Sequence, residues 1–346
     1  MPGLPPILLV LCLCLAGCDS LGYYSQAAAG QLSLLSGRQP IAEILEQPDT
    51  LPELKTQLAL VQQLREFAKR ELLLPVGGQY SHYVALDRDF VVWNVFAAEP
   101  LSFQPRTWCY PIAGCVGYRG YFSEEKARNT AAMMDAQGLD TYVGGVAAYS
   151  TLGWLDDPVL SSFIYREEAR LADLIFHELA HRMLYIPGDT LFNESFATAV
   201  ASEGVRRWML QRGEADYFTR YKRRGQQRRD FIGLLGQYRE KLAVVYNSAA
   251  SEADKYRRKG QLIDRMREDY QAMQQRSGGT LPYTNWITAP INNAKLNSVA
   301  FYHDLVPGLE AILAQESFQL TDFYARCVLM EQLTVEERHR QLGGVK

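Results

Sequence analysis

Two histidines four residues apart set the tightest constraint on this chain. They stand in His177-Glu178-Leu179-Ala180-His181, behind the mostly apolar lead-in Leu171 to Phe176. On an α-helix an i, i+4 pair projects from one face, so both imidazoles reach a single ion while Glu178 flanks that ion's open position. Such a set suits zinc-assisted hydrolysis, in which the metal lowers the pKa of a bound water toward about 7 and a neighbouring glutamate takes the proton. The chain holds only five histidines, so this spacing is hard to reach by chance. A tetrahedral catalytic zinc needs a third protein ligand. Ile186-Pro187-Gly188-Asp189 reads as a turn, so a helix over about 166–185 is followed by a second over about 193–212 that returns beside the first. Glu194, in the first turns of that second helix, is the favoured ligand. Glu203 competes for the role, but at about 100° per residue it points to the opposite face, so the two cannot both serve.

The rest of the chain must supply a scaffold for that helix pair, and its composition allows one. Of 346 residues 47% are hydrophobic and 22% charged, enough to bury a core. The 36 basic and 39 acidic residues leave a net charge of −3, which excludes a nucleic-acid binder by charge. Apolar residues recur at helical spacing from Tyr23 to Leu35 and from Pro52 to Leu73, giving a helical part over 20–75. A β-rich pattern follows from Tyr83 to Ala97 and from Ser102 to Tyr110, a helix from Ser123 to Gln137, and an edge strand from Asp140 to Ala148, together a sheet part over 80–150. Residues 220–276 carry 15 Lys or Arg against 7 Asp or Glu and two apolar helical stripes broken at Asn247 to Ser251. They read as an amphipathic hairpin with a solvated basic face. A final helical part spans 290–340. The fold class expected is α+β and helix-rich, with a small mixed sheet and an added long helical hairpin.

The N-terminus bears on compartment. Leu4 to Gly17 is an uncharged apolar run too short to span a bilayer, and residues 1–17 read as an export signal. Its end, Leu15-Ala16-Gly17-Cys18, resembles the lipobox of bacterial lipoproteins, which implies a lipid anchor on Cys18; the chain from there, 18–346, is expected to form a single domain. Asp19 resembles an inner-membrane retention signal, so the expectation is a periplasm-facing protein on that membrane. In an oxidising compartment Cys109 and Cys115 are close enough to close a small loop around Pro111 and Gly114. Cys327 is left as the odd, buried thiol.

The segment from His177 resembles the gluzincin metallopeptidases, whose third ligand is a glutamate on the helix after H-E-x-x-H. The run from His177 through Ala199 is most similar to a family of zinc aminopeptidases found as lipoproteins in Gram-negative bacteria. Further family features are Trp108-Cys109-Tyr110-Pro111, Cys115-Val116-Gly117-Tyr118-Arg119-Gly120-Tyr121-Phe122, Ala148-Tyr149-Ser150-Thr151-Leu152-Gly153 and Pro187-Gly188-Asp189-Thr190. The resemblance implies a gluzincin-like core and one Zn²⁺ held by His177, His181 and Glu194. It implies Glu178 as general base and a peptide as substrate. The spacer between His181 and Glu194 is shorter than in many gluzincins, and no Asp stands four residues after Glu194. A G-x-M-E-N signature is absent, so exopeptidase action rests on the resemblance. The edge strand around Gly144 and Gly145 is expected to bind an extended peptide by β-addition, with Tyr149 nearby. Tyr149, Tyr302 and His303 are candidate donors to the oxyanion of the transition state. The rival readings are an envelope endopeptidase of the same chemistry and a noncatalytic lipoprotein that works as an interaction module.

Overall fold

The structure, a computed structural model, describes residues 22–110, 114–148, 155–279, 281–299 and 305–343. The expected signal segment, Cys18, Tyr149, Tyr302 and His303 lie outside the described residues. The chain begins with α1 (residues 22–36), the short strand β1 (Gln39–Pro40), α2 (Ile41–Glu46) and α3 (Pro52–Arg70). Strands β2 (His82–Val84), β3 (Val92–Ala98), β4 (Trp108–Tyr110), β5 (Gly114–Val116) and β6 (Arg119–Tyr121) precede α4 (Glu124–Asp135) and β7 (Asp140–Val146). Then come β8 (Val159–Leu160), the one-turn α5 (Ser161–Ile164), α6 (Glu168–Met183), α7 (Thr190–Gln211), and the long pair α8 (Ala215–Tyr246) and α9 (Glu252–Arg276). Short helices complete it: α10 (Thr284–Thr288), α11 (Asn293–Asn297), α12 (Val306–Gln315), α13 (Leu320–Leu329) and α14 (Val335–Gln341). Among the described residues no helix is long and apolar enough to cross a membrane.

Local chemistry sets many of these boundaries. Pro52 opens α3, where its missing N–H costs nothing. Ser123 caps α4 by accepting from the Lys126 N–H, and Ser251 caps α9 through Asp254 N–H. The strands divide among three small sheets. β1, β2 and β8 form a mixed one, β6, β3 and β7 an antiparallel one with β3 in the middle, and β4 pairs with β5 as a hairpin. The β-rich stretch from Tyr83 splits because Asp87-Arg88-Asp89 interrupts it, and β2 and β3 join different sheets. Between Ser102 and Tyr110 only β4 is a strand. Pro105, which has no N–H for a ladder, makes an isolated bridge to Ala98.

Three apolar clusters hold the elements together. The largest joins α3, α6, α7, α12 and α13 through Leu58, Leu64, Phe176, Phe192, Phe196 and Phe323. Gly204 lets α6 and α7 approach closely, since a Cβ there would sit 2.6 Å from the Phe176 ring. A second cluster lies along the α8–α9 hairpin, with Phe231, Leu235 and Leu242 facing Ile263, Met266 and Tyr270. The third packs α4 onto the antiparallel sheet through Trp93, Val95, Tyr121 and Ala131.

Buried polar groups tie the hairpin to that sheet. Lys259 Nζ donates to Asp140 Oδ2 and to the Pro100 carbonyl, each at 2.8 Å. Asn293, wholly buried, donates from Nδ2 to the carbonyls of Glu99, Pro100 and Ser102 and accepts from the Tyr246 hydroxyl at 2.8 Å. Replacing Asn293 by Leu strands all four partners, so urea denaturation should show a loss of about 3 kcal/mol; a change within about 0.5 kcal/mol would mean that the network is not structural.

Lys295 gives a pH signature. Its Nζ donates to the carbonyls of Trp286 (2.7 Å) and Pro290 (3.1 Å), and burial, then the nearby Arg267, pulls its pKa down to about 8. From about 8 up to the ordinary 10.5 the unfolded chain holds a proton that the folded one lacks, so this group's contribution to stability rises with pH. Wild type should therefore gain on Lys295→Met in melting temperature as pH climbs from about 8 to about 10. A gap that stays constant with pH would contradict this environment for Lys295.

Candidate metal centre

The turn after α6 decides where the third ligand can stand. Leu184 breaks α6 with an extended backbone, φ −150° and ψ 127°. Gly188 then takes φ +84°, a conformation that side chains disfavour. Asn193 clips the turn from both sides: its Nδ2 donates to the Ile186 carbonyl and its Oδ1 accepts from the Ile186 N–H, both at 2.8 Å. Asp189 caps α7 by accepting from the Phe192 N–H at 3.0 Å. This cap starts α7 at Thr190, earlier than apolar periodicity suggests, and puts Glu194 in its second turn.

Asp189 is itself buried, and a charge there needs partners. They come from α14: Arg338 Nη1 at 3.2 Å and His339 Nε2 at 2.9 Å. Arg338 is also buried and spans from Asp189 to the Leu333 carbonyl.

With both helices fixed, three ligand atoms converge. His177 Nε2 and His181 Nε2 lie 3.2 Å apart; Glu194 Oε2 is 3.3 Å from the first and its Oε1 3.6 Å from the second. One atom from each residue falls within a 4.8 Å group. Glu203 goes elsewhere. It is held by both Nε and Nη2 of Arg206 at 2.6 Å and by Arg207 Nε at 2.7 Å.

The charge balance fits a cation. Burial and the adjacent His177 push His181 down to about 4, so it stays neutral and keeps a lone pair. Burial also opposes charge on His177, but its hydrogen bond to Glu194 and the Glu178, Glu194 and Asp173 charges outweigh that and raise its pKa. His181 Nδ1 is buried with no hydrogen-bond partner among the described residues. Its Nε2 is thus the working face of the ring. Two imidazole nitrogens and a carboxylate oxygen within 4.8 Å of one another form a donor set that suits Zn²⁺.

Glu178, half-buried on the same helix, has a neighbour the sequence did not single out. Tyr80 is 4% exposed, takes φ +57°, and is fixed through its N–H to the Asp157 carbonyl at 2.8 Å. Burial, then the charge of Glu178, raises its pKa well above the ordinary range, so its hydroxyl stays a donor. The loop carrying Tyr80 is pinned to α6 by Arg182, whose Nη1 donates to the Val76 carbonyl. No motif marks Tyr80, because its relation to Glu178 exists only after folding. Asn193 and Asp189 had a faint signal in the turn sequence; Arg338 and His339 had none.

Other expected site residues lie farther out. Gly144 and Gly145 are in β7, an edge strand, opposite Asn94 and Trp93 of β3. The space left at Gly145 is taken by the Phe90 ring, 2.4 Å from where a Cβ would be. Cys109 and Cys115 face each other across the β4–β5 hairpin in a disulfide, with Cα atoms 3.9 Å apart. Cys327 is buried and free, its thiol pushed up to about 12 by burial.

Arg338→Met would leave Asp189 short of a buried counter-ion. The expected loss is about 3 kcal/mol in chemical denaturation, accompanied by weaker retention of added zinc through the displaced Glu194. Unchanged stability would show that the His339 contact alone suffices to hold Asp189.

Residues 22–342 match the family described as "Putative aminopeptidase". Neither a curated protein nor a solved structure matches the chain.

Proposed function

The chain belongs to that aminopeptidase family, and on this premise we propose that it is a zinc-dependent peptidase removing residues from the free N-terminus of peptides. The convergence of His177, His181 and Glu194 within 4.8 Å, with Glu178 on the same helix, carries the reading. Bound zinc would supply a Lewis acid that polarises the scissile carbonyl and acidifies a water. Glu178 receives the proton of that water on its carboxylate and passes it to the nitrogen of the departing fragment. Tyr80, buried where it feels the charge of Glu178, keeps its phenolic proton. Tyr302, His303 and Tyr149 are proposed to complete the pocket, and β7 to cradle the extended substrate. Cys18 is proposed to carry a lipid anchor that holds the protein on a bacterial membrane facing the periplasm, with Asp19 favouring the inner one. The Cys109–Cys115 disulfide supports an oxidising compartment.

Metal analysis and peptide kinetics test this together. The purified domain should hold one zinc, lose activity on chelation and regain it with added Zn²⁺. Glu178→Gln should keep the zinc while kcat falls by about 10²- to 10⁴-fold. Equal turnover by Glu178→Gln would sink the mechanism. Cleavage of N-acetylated peptides as fast as free ones would sink the aminopeptidase assignment and leave an endopeptidase.

A further inference from the structure

A cavity of about 430 Å³ lies at the N-terminal end of α6, where Arg166, Glu167 and Arg170 meet Arg223, Arg224 and Gln227 of α8. Four guanidinium groups share it with one carboxylate. Glu167 is already engaged by Arg224 and by the Tyr217 hydroxyl. Of the next two acids along α6, Glu168 pairs with Arg212 at 2.9 Å and accepts from Trp208 Nε1, and Asp173 accepts from the Tyr221 hydroxyl at 2.6 Å. Among the described residues Arg166, Arg170 and Arg223 have no carboxylate within ion-pair distance. Burial and the adjacent Arg170 hold Arg166 below its ordinary value, a cost that a bound anion would relieve.

The cavity's place on α6 identifies the anion. Arg170 and His177 are seven residues apart, two helical turns less about 20°, so they share a face about 10 Å apart along the axis. Between and beside them Asp173, Leu174, His177 and Glu178 are all half-buried, with Tyr221 of α8 bonded to Asp173 alongside. An extended peptide rises about 3.3 Å per residue, so about three residues cover the distance. Paired guanidinium forks match a carboxylate in shape and charge.

We propose that this arginine-lined cavity binds the free C-terminal carboxylate of short peptides whose scissile bond lies at the His177–His181–Glu194 centre. The substrates would then be oligopeptides a few residues long. This inference rests on the peptidase reading above and adds a substrate class to it.

Tri-, tetra- and pentapeptides, each as free acid and as C-terminal amide, test it in two ways. Steady-state kinetics of the zinc-loaded protein should favour the acids by at least about 10-fold in kcat/KM, expressed in KM. Arg170→Gln and Arg223→Gln, both at exposed positions, should raise KM for the acids toward that of the amides, with kcat and the amide kinetics unchanged. Equilibrium binding of the same peptides to Glu178→Gln reads the preference without turnover. Acids and amides binding equally, or an acid preference that survives both arginine substitutions, overturns the inference and leaves the peptidase intact. No hydrolysis by wild type, with acid-selective binding retained and lost in the arginine variants, overturns the peptidase and leaves the carboxylate site.

Discussion

The buried carboxylate of Asp189 is the point on which the metal-centre geometry depends. It caps α7, and it is held by Arg338 and His339 from a helix far along the chain. A buried charge of this kind stabilises only when its partners are in place. Its value here is positional: it fixes the first residue of α7 and therefore the angle at which Glu194 faces α6. Asn193 adds the complementary restraint by clasping Ile186 through both backbone groups. Hydrogen bonds to backbone and one polar cluster thus hold the turn that places the three candidate ligands, beside the contacts those ligands make with one another.

The two helices that carry the ligands were legible in the sequence because two signals coincide there, helical periodicity and metal-ligand spacing. The favoured choice of Glu194 over Glu203 came from the turn that returns the start of the second helix beside the first and from the helix angle that bars both acids at once, and the arrangement of Arg206 and Arg207 around Glu203 explains why that acid is otherwise occupied. The start of α7 was placed late because a cap is a property of one side chain, whereas periodicity reports only the apolar face. Tyr80 was invisible for a different reason. Its approach to Glu178 joins a left-handed loop residue to a helix nearly a hundred positions away, and no local pattern encodes such a meeting. The sheets were read less well than the helices, since strands of two or three residues such as β1 and β8 carry too few alternations to register.

Polar burial is distributed unevenly through the molecule. The helix pair at the centre is joined to α3, α12 and α13 by aromatic and aliphatic packing. The α8–α9 hairpin instead meets the antiparallel sheet through Lys259, Asp140 and Asn293, groups whose directional bonds fix register as well as distance. The basic excess of that hairpin is consequently not one surface. Lys259 is consumed in anchoring, while Arg223 and Arg224 of its first helix face the N-terminal end of α6.

The clasp on Asp189 also imposes an order in time. His339 is 150 residues downstream of Asp189. At about 5–20 residues per second, roughly 8 to 30 s of synthesis separate the two. Throughout that interval the turn between α6 and α7 is without Arg338 and His339, and a nascent chain bears the histidine motif without the restraint that orients Glu194. Maturation of the centre is therefore a late event in the life of each molecule, set by the arrival of α14 and not by the helices that carry the ligands.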